Sequence, residues 1–112
     1  MNKLEVLIQP SKKKGKKYDA AVNGKTVSFG AKGYSDYTIH KDPERKKRYE
    51  TRHKKNENWS DPTTAGFYAK HLLWNKTSLQ ASIADVNKRM KNVNIKMKKM
   101  NNLFTVLIFL MI

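Results

Sequence analysis

Residues 18–29, YDAAVNGKTVSF, decide how the chain begins to fold. Two short runs, YDAAV and KTVSF, flank Asn23-Gly24, a dipeptide preferred in two-residue type I′ turns because both positions take positive φ. Tyr18, Ala20 and Val22 alternate with Asp19 and Ala21, and Val27 and Phe29 fall on the same face as the first set. The stretch predicts a β-hairpin with one apolar face. Gly30 and Gly33 close it and lead into a loop.

On the N-terminal side, SKKKGKK (residues 11–17) places five lysines around a glycine and reads as a solvated, flexible segment. Before it, LEVLI reads as a short strand ended by Pro10, and MNKLEVLIQP is too short and too acidic for a secretory signal. The expected division is a basic arm over 1–17, an α+β domain over 18–91, and a Lys- and Met-rich linker with an apolar tail over 92–112.

On the C-terminal side stands the most charged stretch, GYSDYTIHKDPERKKRYETRHKKNENW (33–59), with eight Lys or Arg against three acids between Lys41 and Lys55. Asp42-Pro43 is a helix start: Asp accepts backbone N–H bonds at an N-cap, and proline suits the first turn, where its missing donor costs nothing. The run that follows has no glycine and no further proline, and predicts about three basic helical turns. Glu44 and Glu50 precede Arg48 and Lys54 in the favourable order for i, i+4 pairs, and Tyr49 with His53 is the expected inward face.

Beyond Trp59, Ala65–Trp74 is apolar almost all round and predicts a short buried helix at the centre of the core. Thr77-Ser-Leu-Gln80 fits a capping box with the Thr77 hydroxyl as the cap, and Leu79, Ile83, Val86 and Met90 form an apolar stripe behind it. From Met90 to Met100 no period is legible. The last ten residues, LFTVLIFLMI, reach only about 15 Å as a helix, against about 30 Å of bilayer hydrocarbon, so they cannot span a membrane. Behind the basic KMKKM they suit a dip into a bilayer, a groove or sheet edge on a partner, or closure of the domain's own core.

Hydrophobic residues make up 38% of the 112, below the usual range of about 45–50%, so the core is small. A formal charge of +15 exceeds what solubility needs and favours nucleic acid, anionic lipid or an acidic protein surface as partner. The absence of cysteine excludes disulfides and thiolate metal sites. His40, His53 and His71 with Asp36, Asp42 or Asp61 show no compact ligand spacing, no glycine-rich phosphate loop is present, and no nucleophile has a motif around it. No metal or cofactor is expected, and no enzyme. The expected contacts to an anionic partner are Lys41, Arg45, Lys46, Arg48, Arg52, Lys54 and Lys55, with Tyr37, Tyr49 and Trp59 from the interleaved aromatics, among which Tyr34 also stands. The expected tail contacts are Phe104, Leu107, Ile108 and Phe109.

Across DYTIHKDPERKKRYETRHKKNENW and DPTTAGFYAKHLLWNKTSLQASIADVNKR, with YDAAVNGKTVSFG before them, the chain resembles a family of small basic proteins of unknown function from large double-stranded DNA viruses of eukaryotes. The resemblance runs from about Lys17 to Arg89. Its markers include Asp36-Tyr37-Thr38, His40, Asp42, Arg48-Tyr49, Arg52-His53, Trp59 and Leu73-Trp74-Asn75. Thr77 stands where the family pattern has proline after Asn-Lys. The resemblance implies a viral origin and supplies no catalytic residue; the expected location is the virion. The resulting expectation is a minor structural protein of the particle bridging larger capsid proteins. Coating of the genome without base readout is the second reading, and an anionic membrane surface the third. The expected fold is a small α+β domain, an N-terminal hairpin packed on two or three short helices.

Overall fold

The computed structural model describes residues 3–98. The hairpin forms as its residues dictate: β2 (Lys16–Val22) and β3 (Lys25–Ala31) pair antiparallel with Tyr18 opposite Phe29 and Ala20 opposite Val27. Asn23 and Gly24 between them have φ of +51° and +75°, the two positive angles a type I′ turn demands. β1 (Leu4–Pro10) runs antiparallel to β2 on its other side, and β4 (Val93–Met97) lies parallel to β1, giving the order β3-β2-β1-β4.

Two expected boundaries are therefore corrected. The supposed arm 1–17 contains β1, hydrogen-bonded along both edges, whose Val6 and Ile8 are almost fully buried. Its lysine run is a turn tied to the sheet: the Ser11 and Ser28 hydroxyls donate to Asp19 Oδ1 at 2.6 Å each, and the Lys12 amide donates to Oδ2 at 3.2 Å. Burial pushes the Asp19 carboxyl up, but these donors outweigh it and hold it below the usual carboxylate range. The supposed linker likewise contains β4, in which Val93 and Ile95 face the core. The domain spans at least Leu4–Met97.

Helices cover one face of the sheet. They are α1 (Tyr37–His40), α2 (Pro43–His53), α3 (Ala65–Tyr68) continued by a π-helical turn (Ala69–Leu73), and α4 (Leu79–Arg89). The core lies between α3, the π turn, α4 and the sheet: Phe67, Tyr68, Leu72, Leu73, Ile83 and Val86 meet Val6, Ile8, Ala20, Val22, Phe29, Val93 and Ile95. Each Val, Leu, Ile or Phe among them contributes about 1.5–3 kcal/mol by leaving water. The stretch 65–74 is the centre of the core, as its composition predicts. The fold is α+β, with more strands and helical segments than the sequence discloses.

One local detail differs from expectation. The cap of α4 is Ser78, whose hydroxyl accepts from the Ala81 amide, and not Thr77. Among the described residues no strand pairs with the outer edge of β4, and a side chain bonds it there: Asn87 Nδ2 donates to the Ile95 carbonyl at 2.9 Å and Asn87 Oδ1 accepts from the Ile95 amide at 2.8 Å. An amide side chain here stands in for a fifth strand.

Candidate functional site

The basic stretch folds from its caps outward. Asp36 caps α1, accepting from the Thr38 amide at 2.9 Å and its hydroxyl at 2.5 Å, while its second oxygen holds the Lys17 ammonium of β2 at 2.5 Å. Lys41 ends α1 with φ of +57°, and Asp42 caps α2 through the Glu44 amide, as the Asp-Pro pair predicts. His40 Nδ1 accepts from the Asp42 amide at 2.9 Å, so its ring proton sits on Nε2. Burial, followed by the Arg45 guanidinium, holds this imidazole below its usual range.

The inner face of α2 is Lys46, Tyr49, Glu50 and His53, the i, i+3, i+4, i+7 set. Tyr49 stacks flat on Trp74 at 4.3 Å between ring centroids, and His53 stacks on Tyr49 at 4.2 Å. Lys46 Nζ donates to the Asn75 carbonyl at 2.9 Å and lies over the Tyr37 ring. Glu50 pairs with Lys70 at 2.9 Å, in place of the expected pair with Lys54. These contacts fasten α2 to residues 70–75, the π turn and the two residues after it; within that turn His71, Leu72 and Leu73 are all buried in succession.

The outer face is left free for other work. Lys41, Arg45, Lys47, Arg48, Arg52, Lys54 and Lys55 are exposed, and among the described residues none of them forms an ion pair with a carboxylate. Six of the seven expected cations thus stand at the surface, and Lys47 joins them. Lys46 does not: it is spent inside the fold, where burial and then Lys70 depress its ammonium. Tyr49 is only 6% exposed and sandwiched between rings, so it cannot offer a face to a base. Tyr37 is half-buried beneath Lys46. Trp59 is half-buried too, its Nε1 donating to Glu57 at 2.9 Å. Tyr34, by contrast, is 75% exposed. Phe104, Leu107, Ile108 and Phe109 lie outside the described residues.

Between α2, the end of the hairpin and α3 lies a cleft of about 500 Å³. Its floor is apolar, formed by Phe29, Ala69 and Leu73, and Lys16, Arg45, Arg52 and Tyr34 line its sides. Two carboxylates also line it, and both are occupied: Asp36 by Lys17 and Thr38, Glu57 by His53 at 3.0 Å and by Trp59. Gly66 faces Glu57; a Cβ there would lie 3.2 Å from the Glu57 carboxyl carbon. The cleft was not foreseen. The signal that could have shown half of it was the helical phase, since an inward Tyr49 puts Arg45 and Arg52 together on the flank beside it. Among the described residues no three His, Asp or Glu side chains come together as metal ligands.

A mixed sheet covered by helices on one face, with a cationic helix held by aromatic stacking, defines the class: a small basic α+β domain. Residues 6–53 match the model of a family of unknown function (DUF5754), to which the chain is similar over less than half its length. The matched segment holds most of β1, with β2, β3, α1 and α2, and stops before the helical half of the core. No curated protein and no solved structure matches the chain.

Proposed function

We propose that the chain binds the sugar–phosphate backbone of nucleic acid through the outer face of α2, neutralising phosphates without reading bases. The observation that carries this reading is the division of α2 into two faces, one locked to the core and one presenting cations that no acid of the described fold satisfies. Arg48 and Lys47 lie at the middle of the outer face, and the flanking Lys41, Lys54 and Lys55 extend it. With about six phosphates engaged, log affinity for duplex DNA falls with log salt at a slope near −5. The test is that slope, measured up to physiological salt. Lys47→Glu with Arg48→Glu should lower affinity and flatten the slope; unchanged binding would overturn the reading.

A second reading is a minor component of a virus particle that joins larger capsid proteins; Leu7, on the face of the sheet that no described helix covers, and Ile39 on α1 support it, being 44% and 60% exposed. Those two side chains give a protein partner apolar contacts, one on the sheet and one on the short helix that leads into α2. Particles that still incorporate the Lys47→Glu, Arg48→Glu protein but exclude a Leu7→Asp, Ile39→Asp protein would favour this reading over the first.

A further inference from the structure

We infer that the cleft beside α2 receives one unpaired nucleotide, its ring on the apolar floor and against Tyr34, its phosphate between Lys16, Arg45 and Arg52. The inference rests on the nucleic-acid reading above and deepens it, from backbone neutralisation to a preference for unpaired strands.

The charge balance of the cleft selects a phosphate. Asp36 and Glu57 have their oxygens engaged by Lys17, Thr38, His53 and Trp59, whereas Lys16, Arg45 and Arg52 have no carboxylate partner among the described residues. The wall is thus net cationic, and its unspent charges sit beside a floor of Phe29, Ala69 and Leu73. An inorganic anion would leave that floor wet. A flat ring carrying a phosphate satisfies both. A volume of about 500 Å³ falls within the range of roughly 300–1,000 Å³ in which small ligands are buried.

Tyr34 supplies the second, independent mark. A tyrosine 75% exposed in a small domain that buries or half-buries its other tyrosines contributes nothing to the core, yet it lies on the cleft. It sits next to Gly33, whose φ of +90° shapes the loop. Stacking on an exposed aromatic ring is the usual way a protein holds an unpaired base without reading its sequence. A paired base cannot enter, because its ring is already stacked and hydrogen-bonded within the duplex.

The test uses the full chain near physiological salt, with a labelled oligothymidylate, a duplex of equal length, and free thymidine monophosphate as probes. Tyr34→Ala should weaken oligothymidylate binding about tenfold, the loss of one stacked base. It should leave duplex binding unchanged, and Tyr34→Phe should restore the single-strand affinity. Binding of the free monophosphate that depends on Tyr34 would assign the site to free nucleotides as well as strands; binding of the oligomer alone would assign it to strands. A Tyr34→Ala protein that binds both polymers as the parent does, or loses both equally, overturns the inference while leaving the backbone reading standing. Loss of duplex binding from the whole picture, with Tyr34-dependent single-strand binding retained, overturns the backbone reading and leaves the cleft. Tyr34 is exposed, so its variants keep the fold.

Discussion

Replacing Asp36 with alanine tests the joint on which the site depends. This carboxylate is 2% exposed and accepts three hydrogen bonds, from Lys17 Nζ, the Thr38 amide and the Thr38 hydroxyl, thereby tying β2 to the cap of α1. The Lys17 side chain is itself only 14% exposed. Breaking a buried pair by removing one partner costs about 3–5 kcal/mol, and an N-cap alone is worth about 1 kcal/mol. Because the Lys17 ammonium can still turn toward water, we expect a loss of about 4 kcal/mol for Asp36→Ala. Lys17→Met leaves the carboxylate its two Thr38 donors and should cost about 2 kcal/mol. The double variant should fall short of the sum by about 2 kcal/mol. Urea unfolding followed by tryptophan fluorescence reads all four proteins, with the slope against denaturant as a check that the unfolded state is unchanged. A domain of this size holds about 5–15 kcal/mol, so the Asp36→Ala protein stays measurable except near the lower end of that range; there Asp36→Asn, which keeps an oxygen for Thr38, serves and should cost about 2 kcal/mol. Additive single losses, or an Asp36→Ala loss below about 1 kcal/mol, would refute the reasoning.

Three further outcomes follow from the geometry. Asn87→Ala removes both bonds to Ile95 and should cost about 1–3 kcal/mol, with faster hydrogen exchange at the Ile95 amide; an amide that stays protected would show that the edge is closed by something else. Gly30 has φ of +78°, and a Cβ there would meet Leu73 Cδ1 at 2.8 Å, so Gly30→Ala should lose about 2 kcal/mol or more in urea unfolding, whereas Gly24→Ala, with no atom within 4 Å of its Cβ, should lose only the turn strain. Burial holds His71 below the usual imidazole range, and Lys70 and Arg89 add to this against the Trp59 carbonyl and Asp85. The unfolded chain therefore binds more protons than the fold as the pH drops below about 6.5, and stability, complete above that value, declines as the pH falls toward the depressed folded value. His71→Gln should flatten that decline in a series of urea midpoints against pH; an unaltered slope would exclude His71 as its source.

What the sequence disclosed was local. Asn23-Gly24 and Asp42-Pro43 specify a turn and a cap through neighbouring atoms, and both formed as read. The rest is set by distant partners. Val93 and Ile95 are two apolar residues among asparagines and lysines, too few to show a period, and they become a strand because β1 offers an edge. The lysine run 11–17 becomes ordered because Asp19, eight residues past Ser11, draws its donors inward. Glu50 chooses Lys70 over the nearer Lys54 because Lys70 sits on the segment to which α2 is stacked. The cationic face was largely legible from charge alone, but composition could not separate Lys46 from Lys47. Helical phase could, once Tyr49 is taken as the inward residue.

The place of β1 has a consequence for how the chain is made. Among the described elements β1 leaves the ribosome before the others and its second neighbour, β4, after them, so one edge of β1 stays unfilled while the hairpin, the basic helix and the core helices are synthesised. Until β4 arrives, that vacancy accepts any strand of matching pattern, including the β4 of another copy. Two chains produced side by side can therefore trade β4 and close into an exchanged pair with the same contacts as the single chain.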